Sequence, residues 1–151
     1  MSFIFCGKRV DYQRMSYQQL DKIADLCDPL LIIGLLVAAF LLRRGAAWPF
    51  VLKSALAVVV VQQLSKYCQK HDVLGGGFPS THFAVALALL TCFVILKRNL
   101  WPYALGFALF YATLMLAQHY HTPLQMLGSL FAIPLALLFH WKPRKTRSVS
   151  N

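Results

Sequence analysis

The chain of 151 residues is 58% hydrophobic and only 13% charged, a balance that excludes an ordinary water-soluble monomer. Its 15 Lys and Arg stand against 5 Asp and no Glu, a formal charge of +10, so chemistry built on paired carboxylates has almost no material. The basic residues fall in short clusters between apolar runs, the pattern of membrane loops and not of a nucleic-acid surface. The partner this implies is a lipid bilayer.

Residues 1–28 balance Lys8, Arg9, Arg14 and Lys22 against Asp11, Asp21, Asp25 and Asp28, and hold no apolar core of the kind a cleaved signal needs. Within them, 12–24 is polar with scattered Tyr, Met, Leu and Ile, which predicts an amphipathic helix lying at the membrane surface or an extension of the first span. Five apolar stretches follow, at 29–42, 46–64, 83–96, 100–117 and 124–141. The first and third are short for about 30 Å of hydrocarbon but can be lengthened, through 23–27 and 79–82. The expected architecture is an all-α integral membrane protein, a compact bundle of about five transmembrane helices plus the N-terminal amphipathic helix. Its expected parts are an interfacial segment at 1–28, a helical domain at 29–142 and a basic tail at 143–151. Cys6, Cys27, Cys68 and Cys92 show no CxxC spacing and no disulfide framework.

Charge predicts the orientation. Arg43, Arg44 and Lys53 follow the first span, Lys97 and Arg98 the third, and Lys142, Arg144, Lys145 and Arg147 the fifth. With five spans these clusters share one face, which the positive-inside rule places in the cytoplasm together with the C-terminus. The loops after spans two and four then face the periplasm, the cell exterior or an organelle lumen.

Those two outward loops hold four of the five histidines; the fifth, His140, ends the last span and is assigned an interfacial role. In the first loop, Gly75 to Gly77 and Phe78-Pro79 form a turn, and Ser80-Thr81 is a good N-cap ahead of an apolar helix. A helix N-terminus attracts anions, and Lys66 and Lys70, four residues apart at the end of span two, lie on one helical face. His82 adds a group that titrates near neutrality. In the second loop, His121 is a candidate nucleophile whose ring is held by Gln125, one helical turn on. A zinc set of His82, His119 and His121 is the weaker reading, because the i,i+2 pair lacks helical ligand spacing, and neither a metal nor a cofactor is expected.

Phe78-Pro79-Ser80-Thr81-His82 resembles the Pro-Ser-Gly-His motif of the type 2 phosphatidic acid phosphatase superfamily, and His121-Thr122-Pro123-Leu124-Gln125 with Gly128 resembles its third motif, Ser-Arg-x5-His-x3-Asp. The resemblance implies a helical membrane core in which His121 forms a phosphohistidine and His82 protonates the leaving group. It implies a phosphorylated lipid as substrate; the His-Thr-x-x-Gln pattern is similar to that of polyprenyl diphosphatases and points to an isoprenoid diphosphate. Lys66, Lys70, Ser80, Thr81 and His119 would hold the phosphate. The sequence departs from the pattern in lacking the first-motif Arg-Pro, in Thr81 for glycine, in Met115 for the third-motif arginine and in Gln125 for aspartate. Two readings follow: a lipid phosphate or diphosphate phosphatase, or a non-catalytic member of the same fold that binds or moves a phosphorylated lipid or serves as a structural partner.

Overall fold

The computed structural model describes residues 26–71, 73, 77–117 and 121–141, and among them it is all helix. The expected surface helix at 12–24, Cys6, His119 and the basic tail lie outside the described residues. Helix α1 covers 26–43, α2 Ala47–Lys70, α3 Thr81–Leu96, α4 Trp101–Ala117, α5 Pro123–Gly128 and α6 Ala132–His140. Short 3-10 turns join α1 to α2, α3 to α4 and α5 to α6.

Three helical runs are long and apolar enough to cross a membrane: Leu26–Lys70, Arg98–Ala117 and Pro123–His140. The count differs from the expected five for two reasons. The first two expected spans form one continuous helical run, turned at Arg44 where φ is +39°, and α3 has only 16 residues. The run folds back at that turn. Asp28, near one end of α1, meets His82 at the start of α3, whereas Arg43 at the other end donates to the Ile95 carbonyl near the end of α3. Helices α1 and α3 therefore run parallel, with α2 antiparallel to both.

Helix α3 is the centre of the bundle, packed by α2, α4 and α6. It is apolar around its whole circumference, and Ala84, Ala86 and Ala88 leave no exposed surface, because small residues let neighbouring helices approach closely. Ala57 and Val61 of α2, Tyr111 of α4 and Ala132 and Ala136 of α6 complete the core. The outer faces carry exposed Leu41, Leu109, Leu127 and Leu138, which suits a hydrocarbon solvent. Exposed Trp48, Trp101, Tyr103 and Trp141 ring the end of the bundle that also carries Arg43, Arg44, Lys97 and Arg98, as aromatic belts and basic clusters do at an interface. Cys27, Cys68 and Cys92 are free thiols.

Candidate active site

At the opposite end of the bundle, two segments distant in sequence are tied together. Ser80 caps α3 and donates its own N–H to the Gln125 carbonyl at 3.3 Å. Buried Ser129 Oγ lies 3.0 Å from the Ser80 carbonyl and 3.1 Å from the Gln125 carbonyl, so its single proton is shared between the loops. Gln69 of α2 donates to the Pro79 carbonyl at 2.7 Å. Two glycines permit this closeness. Gly77 has φ +84° and a Cβ there would press on Gln125 Nε2 at 3.1 Å, while a Cβ on Gly128 would overlap the Phe78 ring.

The tied loops close one side of a cavity of about 690 Å3. Asp28, Pro29, Ile32 and Ile33 line it from α1, Val58, Gln62, Lys66 and Gln69 from α2, Thr81, His82 and Val85 from α3, and His121 from the second loop. Its two imidazoles have chemically different partners. His121 Nδ1 donates to Gln125 Oε1 at 3.2 Å, which leaves Nε2 as the nitrogen for chemistry. His82 Nδ1 lies 3.3 Å from Asp28 Oδ2, where a carboxylate offers a counter-charge to an imidazolium. Burial pushes the His121 pKa below its ordinary value of 6.5; the Gln125 hydrogen bond raises it in part and charge on His82 lowers it further. His121 is therefore held neutral at pH 7. Asp28 Oδ1 and Thr81 Oγ1 are buried and, among the described residues, without a hydrogen-bond partner, so two polar atoms of cavity-lining residues await a ligand or water.

Of the residues singled out in the sequence, Lys66, Thr81, His82 and His121 line this cavity together. Gln125 stands behind His121, where its Oε1 also accepts the Thr122 N–H at 2.9 Å in a capping box that starts α5. Ser80 is fully buried in the loop tie and does not reach the cavity wall. Lys70 does not line the cavity but an adjoining groove with Leu64 and Tyr67, which Lys66 borders as well. As the last residue of α2 it lies about 6 Å further along the axis than Lys66, beyond the cavity. Met115 is buried in the core of α4, so nothing on that helix replaces the arginine of the third motif at this position. His119 is outside the described residues. Among those residues no group of three or more His, Cys, Asp or Glu is placed to hold a metal ion.

Sequence reasoning missed Asp28, Gln62 and Gln69. Gln62, Lys66 and Gln69 stand at i, i+4 and i+7 on one face of α2, a spacing that could have found them, although Gln63, Ser65 and Lys70 beside them blur the stripe. Asp28 left no such signal, because only the parallel packing of α1 against α3 brings it to His82. No protein-family model, curated protein or solved structure matches this chain.

Proposed function

We propose that the protein is a membrane phosphatase that removes phosphate from a lipid phosphate or isoprenoid diphosphate through a phosphohistidine at His121. The observation that carries this reading is the cavity shared by a neutral imidazole, an imidazole paired with a carboxylate, and a lysine. Environments that separate the proton affinities of two like groups assign one as nucleophile and the other as acid. His121 Nε2 supplies the electron pair that forms the P–N bond. The P–O bond to the lipid breaks, and His82 gives its proton to the departing oxygen. Water then attacks the phosphohistidine with His82 as base, releasing phosphate and restoring both rings. Lys66 and the Thr81 hydroxyl hold the phosphoryl oxygens, with less fixed positive charge than a pair of arginines would provide.

The lipid class is supported by what adjoins the cavity. Ile32 and Val58 line both the cavity and an apolar groove of about 180 Å3 between α1 and α2, continued by Leu35, Leu36, Val51 and Leu89. A hydrocarbon tail fits there while its phosphate meets the histidines. In this reading α1, α2, α3, α4 and the α5–α6 run cross the membrane, five spans in all. Helix α3 is short because it stops at the floor of a headgroup cavity recessed below the surface. The basic, aromatic-belted end and the C-terminus are cytoplasmic, and the histidines face the other side.

The test is phosphate release by purified protein from polyprenyl diphosphate and from phosphatidate, with His121→Ala as control. Turnover by the wild type that the variant loses is the expected result. Tight binding of either lipid with no release by the wild type would support instead the non-catalytic lipid-binding reading.

A further inference from the structure

The end of the bundle opposite the histidine pair holds a second cavity, of about 400 Å3, whose wall includes Arg43, Phe50, Lys53, Ile95 and His140. Two of its polar groups, Arg43 and His140, are held in place by the wall. The Arg43 guanidinium sits 4.7 Å above the Phe50 ring and spends one of its N–H donors on the Ile95 carbonyl at 3.3 Å. Four donors remain, since a guanidinium has about five in all. His140 stacks on the same Phe50 at 4.8 Å, and its Nε2 is 3.2 Å from Ser54 Oγ and 3.9 Å from Cys92 Sγ, which leaves Nδ1 for the cavity. Snorkelling side chains are mobile and solvated; these two are fixed by an aromatic platform, a carbonyl and a hydroxyl.

Charge identifies the ligand class. Asp28 is the sole acidic residue among those described, and it lies at the far end of α1. Arg43 and Lys53 thus line one concave space with no carboxylate among the described residues to balance them. A guanidinium fork, an ammonium and an imidazole N–H converging there match the several oxygens of a phosphate group better than the two of a carboxylate. Basic pockets between membrane helices are recurrent sites for anionic headgroups. We propose that this cavity is a second anion site that takes a phosphate group, presented either by a lipid headgroup or by a soluble phosphate. It is independent of the chemistry assigned to His121.

The experiment measures binding to the full chain in phosphatidylcholine nanodiscs, with phosphatidate doped into the disc as one probe and inorganic phosphate or pyrophosphate in solution as the other. Retained phosphatidate is read by native mass spectrometry and soluble phosphate by thermal stabilisation. Arg43→Gln with Lys53→Gln should weaken binding by about tenfold or more, the scale of lost charge-assisted hydrogen bonds. Lys97→Gln with Arg98→Gln, which removes two cations from the same end outside the cavity, should change it by less than about twofold. Because Arg43 also bonds the wall, Lys53→Gln alone is the check against misfolding, and it should weaken binding by about threefold or more. Binding of phosphatidate alone that the Arg43 and Lys53 substitutions weaken identifies a headgroup, and binding of the soluble ions weakened in the same way identifies a site open to water; both support the proposal. No binding of either probe, an equal loss in the Lys97 and Arg98 variant, or a loss confined to Lys66→Gln would overturn it.

Discussion

Gln125→Leu separates the two tasks of one oxygen. Gln125 Oε1 accepts from His121 Nδ1 at 3.2 Å and from the Thr122 N–H at 2.9 Å. Leucine removes both bonds, and at about 1 kcal/mol net for each the fold should lose about 2 kcal/mol. The cap half of that loss has a control. Thr122→Ala removes the other bond of the box, the Gln125 N–H to Thr122 Oγ1 at 3.3 Å, for about 1 kcal/mol, and leaves the His121 ring held. Turnover should divide the variants sharply. Without an acceptor on Nδ1 the ring loses its fixed tautomer and orientation, and phosphate release should fall by about two orders of magnitude or more, as when a catalytic histidine loses its orienting group. Thr122→Ala should keep near wild-type turnover. The same substitution moves the pH profile. Since the Gln125 bond raises the His121 pKa, its loss lowers that pKa further, and the residual activity should persist to lower pH than in the wild type. The assay is phosphate release from polyprenyl diphosphate across pH 4 to 8, beside thermal melting of each variant. Equal turnover in Gln125→Leu and Thr122→Ala would refute the orienting role and leave Gln125 as a capping residue only.

Replacing His82 by glutamine removes the charge that lowers the His121 pKa, so His121 should titrate at higher pH in the variant; histidine-selective NMR reads the shift, and a downward movement would contradict the shared cavity. Asp28→Asn should reduce turnover by about tenfold or more on an alkyl phosphate, where the leaving oxygen needs a proton, and far less on p-nitrophenyl phosphate, whose leaving group does not. Lys66→Gln should raise KM for the phosphorylated lipid, whereas Lys70→Gln, which does not line the histidine cavity, should leave steady-state kinetics unchanged. Gly128→Ala drives a methyl into the Phe78 ring and should destabilise by about 1–3 kcal/mol. Adding Phe78→Ala to it should lower stability by less than the two single changes combined, which melting of all three variants reads.

Much of the fold is legible because a long apolar run forms a helix whether it is buried among its neighbours, as α3 is, or exposed on the outside, as α4 largely is. The apolar run at 83–96 became α3 with only two residues added at its start, where the Ser80 cap lies, and the run at 100–117 became α4 with one removed. The second run, 46–64, fared worse because its helix continues six residues into polar sequence, to Lys70. Gln62, Lys66 and Gln69 are polar yet helical: their face lines the cavity, and helix formation needs no apolar side chain there. The number of spans is the least legible feature. Composition treats 29–42 and 46–64 as separate elements, but Arg43, Arg44 and Gly45 neither break the helix with proline nor cap it, so the backbone continues through a 3-10 turn.

The candidate site divides along the same line between local and distant causes. His121 and Gln125 are four residues apart and form the expected hydrogen bond, although His121 lies just ahead of the Thr122 cap and not on α5 itself, so a local contact was legible from sequence separation. Ser80 also followed local rules, and these took it away from the cavity: its hydroxyl caps α3 and its amide binds the second loop. The Asp28–His82 pair spans 54 residues and depends on the direction in which α1 packs, which no spacing encodes. That distant pair adds to what distinguishes the two histidines. Without Asp28, His121 would still be set apart by burial and by Gln125, but His82 would have no counter-charge for an imidazolium. With it, one ring carries a counter-charge and the other an uncharged amide, and in the proposed enzyme that difference would set the direction of proton transfer. In the proposed enzyme, the packing of α1 would thus supply by tertiary contact the carboxylate that the second loop lacks, and would supply it to the acid instead of the nucleophile.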